Sequence, residues 1–295
     1  MRIRVATPSD FDAALRVIGD AFGLGTLRAP TVHTAVASSA FGQLLVAERE
    51  DGAIVGTGAS VGFGPTGWIG GIAVAASARG ARLGQALTEA AIEALGPRET
   101  LLLLASDAGR PIYERLGFVA EEPYRAFWSP PTAAASPPAI TPPAGSSPAA
   151  AASPPTAASP PTAASSSPGV RPLTAADRDA VLALDRRVTG EDRAFVVDLG
   201  LADAIATHDL RAVALRPPWP ASPILAADPA AGAALLAATL RPGLRIAVPE
   251  PNRAAIDALV ALGCTDGPGV VRMRRGAPVA WRPEELWGVH SLFFG

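Results

Sequence analysis

Between Arg125 and Arg171 the chain carries no charged residue, and from Ser129 to Pro168 it is built almost entirely from Ala, Ser, Pro and Thr. The run SPPTAAA starts at Ser129, and SPPTAAS starts at Ser153 and again at Ser159. Such a segment has too little apolar surface to offset the entropy of ordering it. Proline-rich tethers favour extended conformations of ~3.1 Å per residue, so this one spans roughly 120 Å and fixes no domain geometry. The chain therefore reads as two folding units, residues 1–128 and 169–295, joined by a disordered linker over 129–168.

The two units begin alike. IRVATPSDFDAAL (Ile3–Leu15) aligns with VRPLTAADRDAVL (Val170–Leu182), with Arg, Thr, Asp, Asp, Ala and Leu coinciding at a constant offset. In each, a threonine (Thr7, Thr174) stands three residues before an aspartate (Asp10, Asp177), the pattern of a helix N-cap with an acid in the first turn. Phe11, Ala14, Leu15, Ile18 and Phe22 then trace one apolar face. Two copies of one fold are expected.

Charge excludes a broad class of partners. Residues 1–128 hold 11 Arg against 13 acids and residues 169–295 hold 14 Arg against 14, with no lysine anywhere. Neither unit has the basic excess of a nucleic-acid footprint. The single cysteine, Cys264, permits no intramolecular disulfide and no cysteine zinc site. No histidine, aspartate or glutamate cluster has metal-ligand spacing. The start has no apolar leader and no run reaches the ~18 apolar residues of a membrane span, so a cytoplasmic protein without membrane contact is expected.

In the first unit, Gln43–Glu50 and Ala53–Gly64 flank a turn at Asp51-Gly52 and read as a hairpin. Trp68–Ala75 is a further strand, a helical pattern runs from Gly80 to Gly96, Leu101–Ala105 is a buried strand, and Arg110–Phe118 is a short helix with a glycine stop. The class is α/β, a mixed sheet with helices. The stretch GGIAVAASARGARLG (Gly70–Gly84) passes from a strand through a small-residue turn into a helix. A helix start after a glycine-bearing turn offers unpaired N–H groups and the positive dipole end to an anion. A Walker loop needs a lysine that this chain lacks, and G-x-G-x-x-G after a first strand does not occur.

These residues resemble the GNAT superfamily of N-acetyltransferases, whose signature is an apolar strand written roughly Val-x-Pro, then Arg-Gly-x-Gly-x-Gly opening a helix. Ile72, Ala73 and Val74 stand at the strand end, and Arg79, Gly80, Ala81, Arg82, Leu83 and Gly84 form the loop. The middle glycine is replaced by Arg82 and the proline by Ala76. The downstream YERLGF (Tyr113–Phe118) falls at the family spacing. The resemblance covers residues 3–128 and implies that the loop amides cradle the pyrophosphate of acetyl-CoA, used as cosubstrate. It also implies that an N–H near Val74 meets the thioester oxygen and that Tyr113 protonates the departing thiolate. The bland alternative for Tyr113 is a helix tyrosine packed on the sheet.

The second unit resembles the family more faintly. Leu244–Cys264 reads as strand, turn and helix ending in Leu-Gly, with Leu259 where Tyr113 stands. Ile224–Leu236 holds one glycine and no arginine, so this unit looks like a degenerate copy. The pairing resembles the two-domain YitH-type acetyltransferases. The activity implied is acetyl transfer from acetyl-CoA to a small-molecule or peptide amine in a ternary complex, by a chain that could form a homodimer. The alternative is a non-catalytic acyl-CoA-binding or interaction protein. No general base stands out: Glu48, Glu50 and Asp107 read as solvated charges, and His33, His208 and His290 as polar surface. Cys264 takes the packing slot of Phe118 and reads as buried and inert.

Overall fold

The computed structural model describes residues 1–29, 31–131, 169–219, 222–289 and 292–294. Most of the linker, 132–168, and His290 lie outside the described residues. The first half runs β1 (Arg2–Val5), α1 (Phe11–Phe22), α2 (Val32–Ala37), β2 (Gly42–Glu48), β3 (Ile54–Phe63), β4 (Thr66–Val74), α3 (Leu83–Leu95), β5 (Thr100–Ala105), α4 (Arg110–Arg115), β6 (Val119–Trp128). The second half repeats that order: β7 (Val170–Pro172), α5 (Arg178–Thr189), α6 (Ala194–Gly200), β8 (Ile205–Thr207), β9 (Ala212–Ala214), β10 (Ile224–Ala226), α7 (Pro229–Thr239), β11 (Arg245–Pro249), α8 (Arg253–Ala261), β12 (Thr265–Gly276). One more strand, β13 (Leu286–Gly288), follows. The architecture is mixed α/β.

The repeated sequence start folds the same way twice. Asp10 accepts from the Thr7 N–H at 2.7 Å and from both Arg4 nitrogens at 2.7 and 2.9 Å. Asp177 accepts from the Thr174 N–H at 2.8 Å and from Arg171 at 2.8 Å twice. The bidentate arginine first, then the amide and hydroxyl of the threonine, hold both carboxyls well below the usual carboxylate range. Each acid thus caps its helix and pins the first strand to it.

The sheets cross the halves. One has eight strands in the order β1-β2-β3-β4-β5-β12-β6-β11, the other five in the order β13-β10-β9-β8-β7. β12 pairs antiparallel with β5 from Val271↔Ala105 to Gly276↔Thr100, and on its other edge with β6 from Thr265↔Trp128 to Arg274↔Val119. β6 in turn pairs with β11, from Arg245↔Trp128 to Pro249↔Tyr124. The last strand of each half is therefore a central strand of the other half's ladder. Ser129, assigned from sequence to the linker, is buried: its hydroxyl donates to the Arg241 carbonyl at 2.5 Å and accepts from the Leu244 N–H at 2.7 Å.

Both faces of the crossing are covered. TLLLLA in β5 alternates sides: Leu101 and Leu103 pack with Ala91, Leu95, Tyr113 and Phe118, whereas Leu102 packs with Trp68 and Phe294. On that second face lie buried charges. Arg193 and Asp185 pair at 2.7 Å with side chains 1% exposed. Glu191 accepts from Thr66 Oγ1 at 2.5 Å and from Trp68 Nε1 at 2.9 Å. Arg272 of β12 bonds Glu121 of β6 and stacks over Trp281 at 4.4 Å. Removing one partner of a buried pair leaves an uncompensated charge; the Glu191 and Arg272 contacts cross between the halves, whereas Arg193–Asp185 braces the second half from within. No helix among the described residues is long and apolar enough to cross a membrane.

Fragments test the exchange. Residues 1–128 alone leave β5 and β6 without β12 between them. Their unpaired edges predict an insoluble or molten fragment. Co-expression of 1–128 with 169–295 is expected to give a soluble 1:1 complex by size exclusion; a monomeric, cooperatively unfolding 1–128 would contradict the expectation.

Candidate functional site

The Arg79–Gly84 turn owes its shape to two left-handed residues. Gly80 has φ +88, and Arg82, the N-cap of α3, has φ +56. The family glycine at that position is absent, yet the backbone keeps the conformation a glycine would favour, at a cost of about 1 kcal/mol for a residue with a Cβ. Arg82 itself is exposed. Among the described residues no acceptor takes the N–H of Ala81, Leu83 or Gly84. Arg79 is tied back by Nε to the Val74 carbonyl at 3.3 Å.

Below this turn β4 and β5 separate. Their parallel ladder covers only Thr66↔Thr100 to Trp68↔Leu102. Past Trp68 the β5-side edge of β4 has no strand partner among the described residues. The N–H of Ala75 points to β3, donating to Val55 at 2.9 Å, so strand alternation turns the Val74 N–H toward the fork. A bulge falls at Gly71 (φ +59), between the pairs Thr57↔Ala73 and Ala59↔Gly70, and the Thr57 hydroxyl holds its carbonyl at 2.7 Å. Gly84 lies where three elements converge: a Cβ there would stand 3.4 Å from Ile112 of α4 and 3.9 Å from Val74.

Tyr113 sits on α4 at the same end. Its ring packs edge-on to Phe118 at 6.2 Å, in one apolar cluster with Ile69, Ile72 and Leu103, and its hydroxyl has no hydrogen-bond partner among the described residues. Burial pushes its pKa up to about 12, so it is a neutral O–H donor at pH 7. The structure thus gathers Ile72, Val74, Gly84 and Tyr113 around the fork, with Ala73 turned to the opposite face against α1. Arg79 through Arg82 rim it.

The other sequence candidates separate from it. Glu48 is paired with Arg4 at 2.7 Å, while Glu50, Asp107 and His208 are exposed. Cys264 is buried against Leu259 and Phe127, and burial raises its thiol pKa. His33 corrects the sequence reading. It is not polar loop surface but a buried residue of α2, stacked on Phe293 at 5.2 Å. Nothing local in the sequence signals this, since Phe293 comes from the far end of the chain. No metal-holding group of His, Cys, Asp or Glu occurs among the described residues.

In the second half the corresponding fork is filled. β13 pairs with β10 at Ile224↔Gly288 and lies against β11. Trp287 crosses Gly232 of α7 so closely that a Cβ there would stand 2.3 Å from the indole. The start of α7 is capped by Asp228, which accepts from the Ala231 N–H at 2.9 Å. A carboxylate at that helix start repels an anion.

A family model for the acetyltransferase (GNAT) domain matches residues 40–120. Among solved structures, a proposed acetyltransferase from Pyrococcus horikoshii superposes with a TM-score of 0.76 at 18% identity, covering 100% of this chain and 95% of that one. A Mycobacterium tuberculosis protein in complex with CoA matches 41% of this chain and 74% of its own at 23% identity, with a TM-score of 0.36. A proposed acetyltransferase from Agrobacterium tumefaciens matches 41% of this chain and 95% of its own at 21% identity, TM-score 0.35. No curated protein sequence matches this chain.

The left-handed arginine gives a stability test. Arg82→Gly relieves the Cβ penalty and is expected to raise stability by about 0.5–1 kcal/mol after the entropy of glycine is counted. Arg82→Val is expected to lower it. Urea denaturation of the two variants checks both signs.

Proposed function

We propose, from the match of residues 40–120 to the acetyltransferase (GNAT) domain, that this chain transfers an acetyl group from acetyl-CoA to an amine. The observation that carries the reading is the turn at Gly80 and Arg82, which leaves the first amides of α3 unpaired beside the open β4–β5 fork. Those amides and the helix dipole suit the pyrophosphate. The pantetheine arm then runs along the bare edge of β4, with Val74 N–H as a donor for the thioester oxygen. A preorganised donor of this kind is worth roughly two to three decades in rate.

In the ternary complex the neutral amine attacks the thioester carbon. The C–N bond forms and the carbonyl oxygen takes the negative charge. Collapse breaks the C–S bond, and the Tyr113 hydroxyl gives its proton to the departing sulfur. A phenol held neutral by burial is suited to that donation. The acceptor is a small molecule or a peptide, and the cytoplasm is the proposed compartment. The filled second fork supports one acetyl-CoA per chain.

Two substitutions test the roles. Gly84→Asp places a carboxylate at the junction of Val74, Ile112 and the loop. Acetyl-CoA binding is expected to vanish in calorimetry while Gly84→Ala keeps the fold and most of the affinity. Unchanged binding in the folded aspartate variant removes the loop from the site. Tyr113→Phe is expected to leave melting temperature and acetyl-CoA affinity near wild type and to lower kcat by roughly 10²-fold, the scale of a positioned acid. An unchanged kcat, with chemistry rate-limiting, takes Tyr113 out of the mechanism.

A further inference from the structure

The face of β4 opposite Tyr113 carries a second unpaired group. Trp68 and Gly70 look onto that face, and the C-terminal Leu292–Phe294 lies across it. A Cβ on Gly70 would stand 2.1 Å from the Phe293 ring and 2.5 Å from its carbonyl oxygen. Phe293 stacks in turn on His33, nearly parallel at 14°. The imidazole edge presses on the bulge: a Cβ on Gly71 would stand 2.9 Å from His33 Cδ2 and 3.0 Å from Nε2. His33 Nδ1 is buried without a hydrogen-bond partner among the described residues. A buried polar atom left unpaired is costly and rare enough to require a reason.

We infer that His33 takes the proton from the acceptor amine, and that Phe293 covers the imidazole until the acceptor displaces it. The inference rests on the acetyl-transfer reading above. With the cofactor arm in the fork, α3 and α4 close one side of the thioester, so the amine reaches the carbonyl carbon from the α2 side, where His33 stands. Acid and base then lie on opposite faces of the sheet. As the amine nitrogen bonds to the carbonyl carbon it becomes cationic, and its N–H proton passes to the imidazole. The sulfur leaves with the C–S electron pair and receives the Tyr113 proton. The imidazolium releases its proton to solvent, and Tyr113 is reprotonated from solvent. While Phe293 covers it, burial holds the imidazole down to about 4 and therefore neutral at pH 7; displacement of Phe293 by a polar acceptor lifts that desolvation and restores its basicity. The competing base on this face is Glu191, but its carboxylate already accepts from Thr66 and Trp68.

The test uses the full chain, with acetyl-CoA binding by calorimetry and thiol release on an amine that the wild type acetylates. His33→Phe keeps a flat ring under Phe293 and removes the orphaned nitrogen. It is expected to melt at or above the wild-type temperature, bind acetyl-CoA unchanged, and lose about 10²-fold in kcat. His33→Gln, a second shape, is expected to lose as much. Glu191→Gln is expected to keep kcat. Phe293→Ala is expected to raise kcat/KM for the amine severalfold. A folded His33 variant with wild-type kcat, or a 10²-fold loss in Glu191→Gln alone, overturns the assignment of the base. Unchanged or lower kcat/KM in Phe293→Ala overturns the cover. Wild-type protein that binds acetyl-CoA and acetylates amines while His33→Phe stays fully active leaves acetyl transfer standing and removes only this inference. A wild type that neither binds nor transfers removes both.

Discussion

The insertion of β12 between β5 and β6 is the contact on which the other features depend. It makes the eight-stranded sheet continuous through both halves, so neither half has a complete ladder of its own. β5 ends at the fork beside β4, and α4, which carries Tyr113, follows β5 directly. The ladder that holds β5 from its outer edge is thus what sets the distance between the loop at the start of α3 and the tyrosine on α4. Arg272 on the inserted strand adds a second link, bonding Glu121 across to β6 and stacking on Trp281. The second half acts on the candidate site without contributing a loop to it.

The same element order gives two different ends. In the first half the fork stays open because, among the described residues, no strand pairs with the β5-side edge of β4 between Trp68 and Val74. In the second half β13 enters the fork and Trp287 takes the space above Gly232. The helix starts diverge in the same sense. α3 begins with unpaired amides behind Gly80 and Arg82, whereas α7 begins with Asp228 already accepting from its own first turn. One half leaves its helix start and its fork open; the other has filled both from within the chain. The chain beyond β13 then returns to the first half and lays Phe293 on Gly70.

Low dielectric surroundings decide the protonation of the groups near the fork. Tyr113 and His33 both lack a charged partner among the described residues, so desolvation alone moves them, in opposite directions on the pH scale and toward the same neutral state. Asp10 and Asp177 show the contrary case: at the edge of the fold, arginine and amide donors keep them ionised.

By itself the sequence determined what depends on nearest neighbours. Thr7 with Asp10 and Thr174 with Asp177 disclosed both helix starts, because a cap is made within three residues. The strand–turn–helix at Ile72–Gly84 was legible because a left-handed turn and a helix start are local, and the structure shows Arg82 keeping the glycine-like φ that its residue type hides. The place of Tyr113 on a short helix was legible from the YERLGF spacing. Tertiary structure alone decided the rest. That β12 pairs with β5, over 150 residues away in sequence, follows from sheet closure and the burial of Arg272 and Glu191, and no local pattern encodes it. His33 read as surface because its burial is supplied by Phe293, and the second fork read as merely lacking a loop because Trp287 fills it from outside the aligned region. Local propensity fixes elements; which elements cover one another is settled only when the whole chain excludes water together.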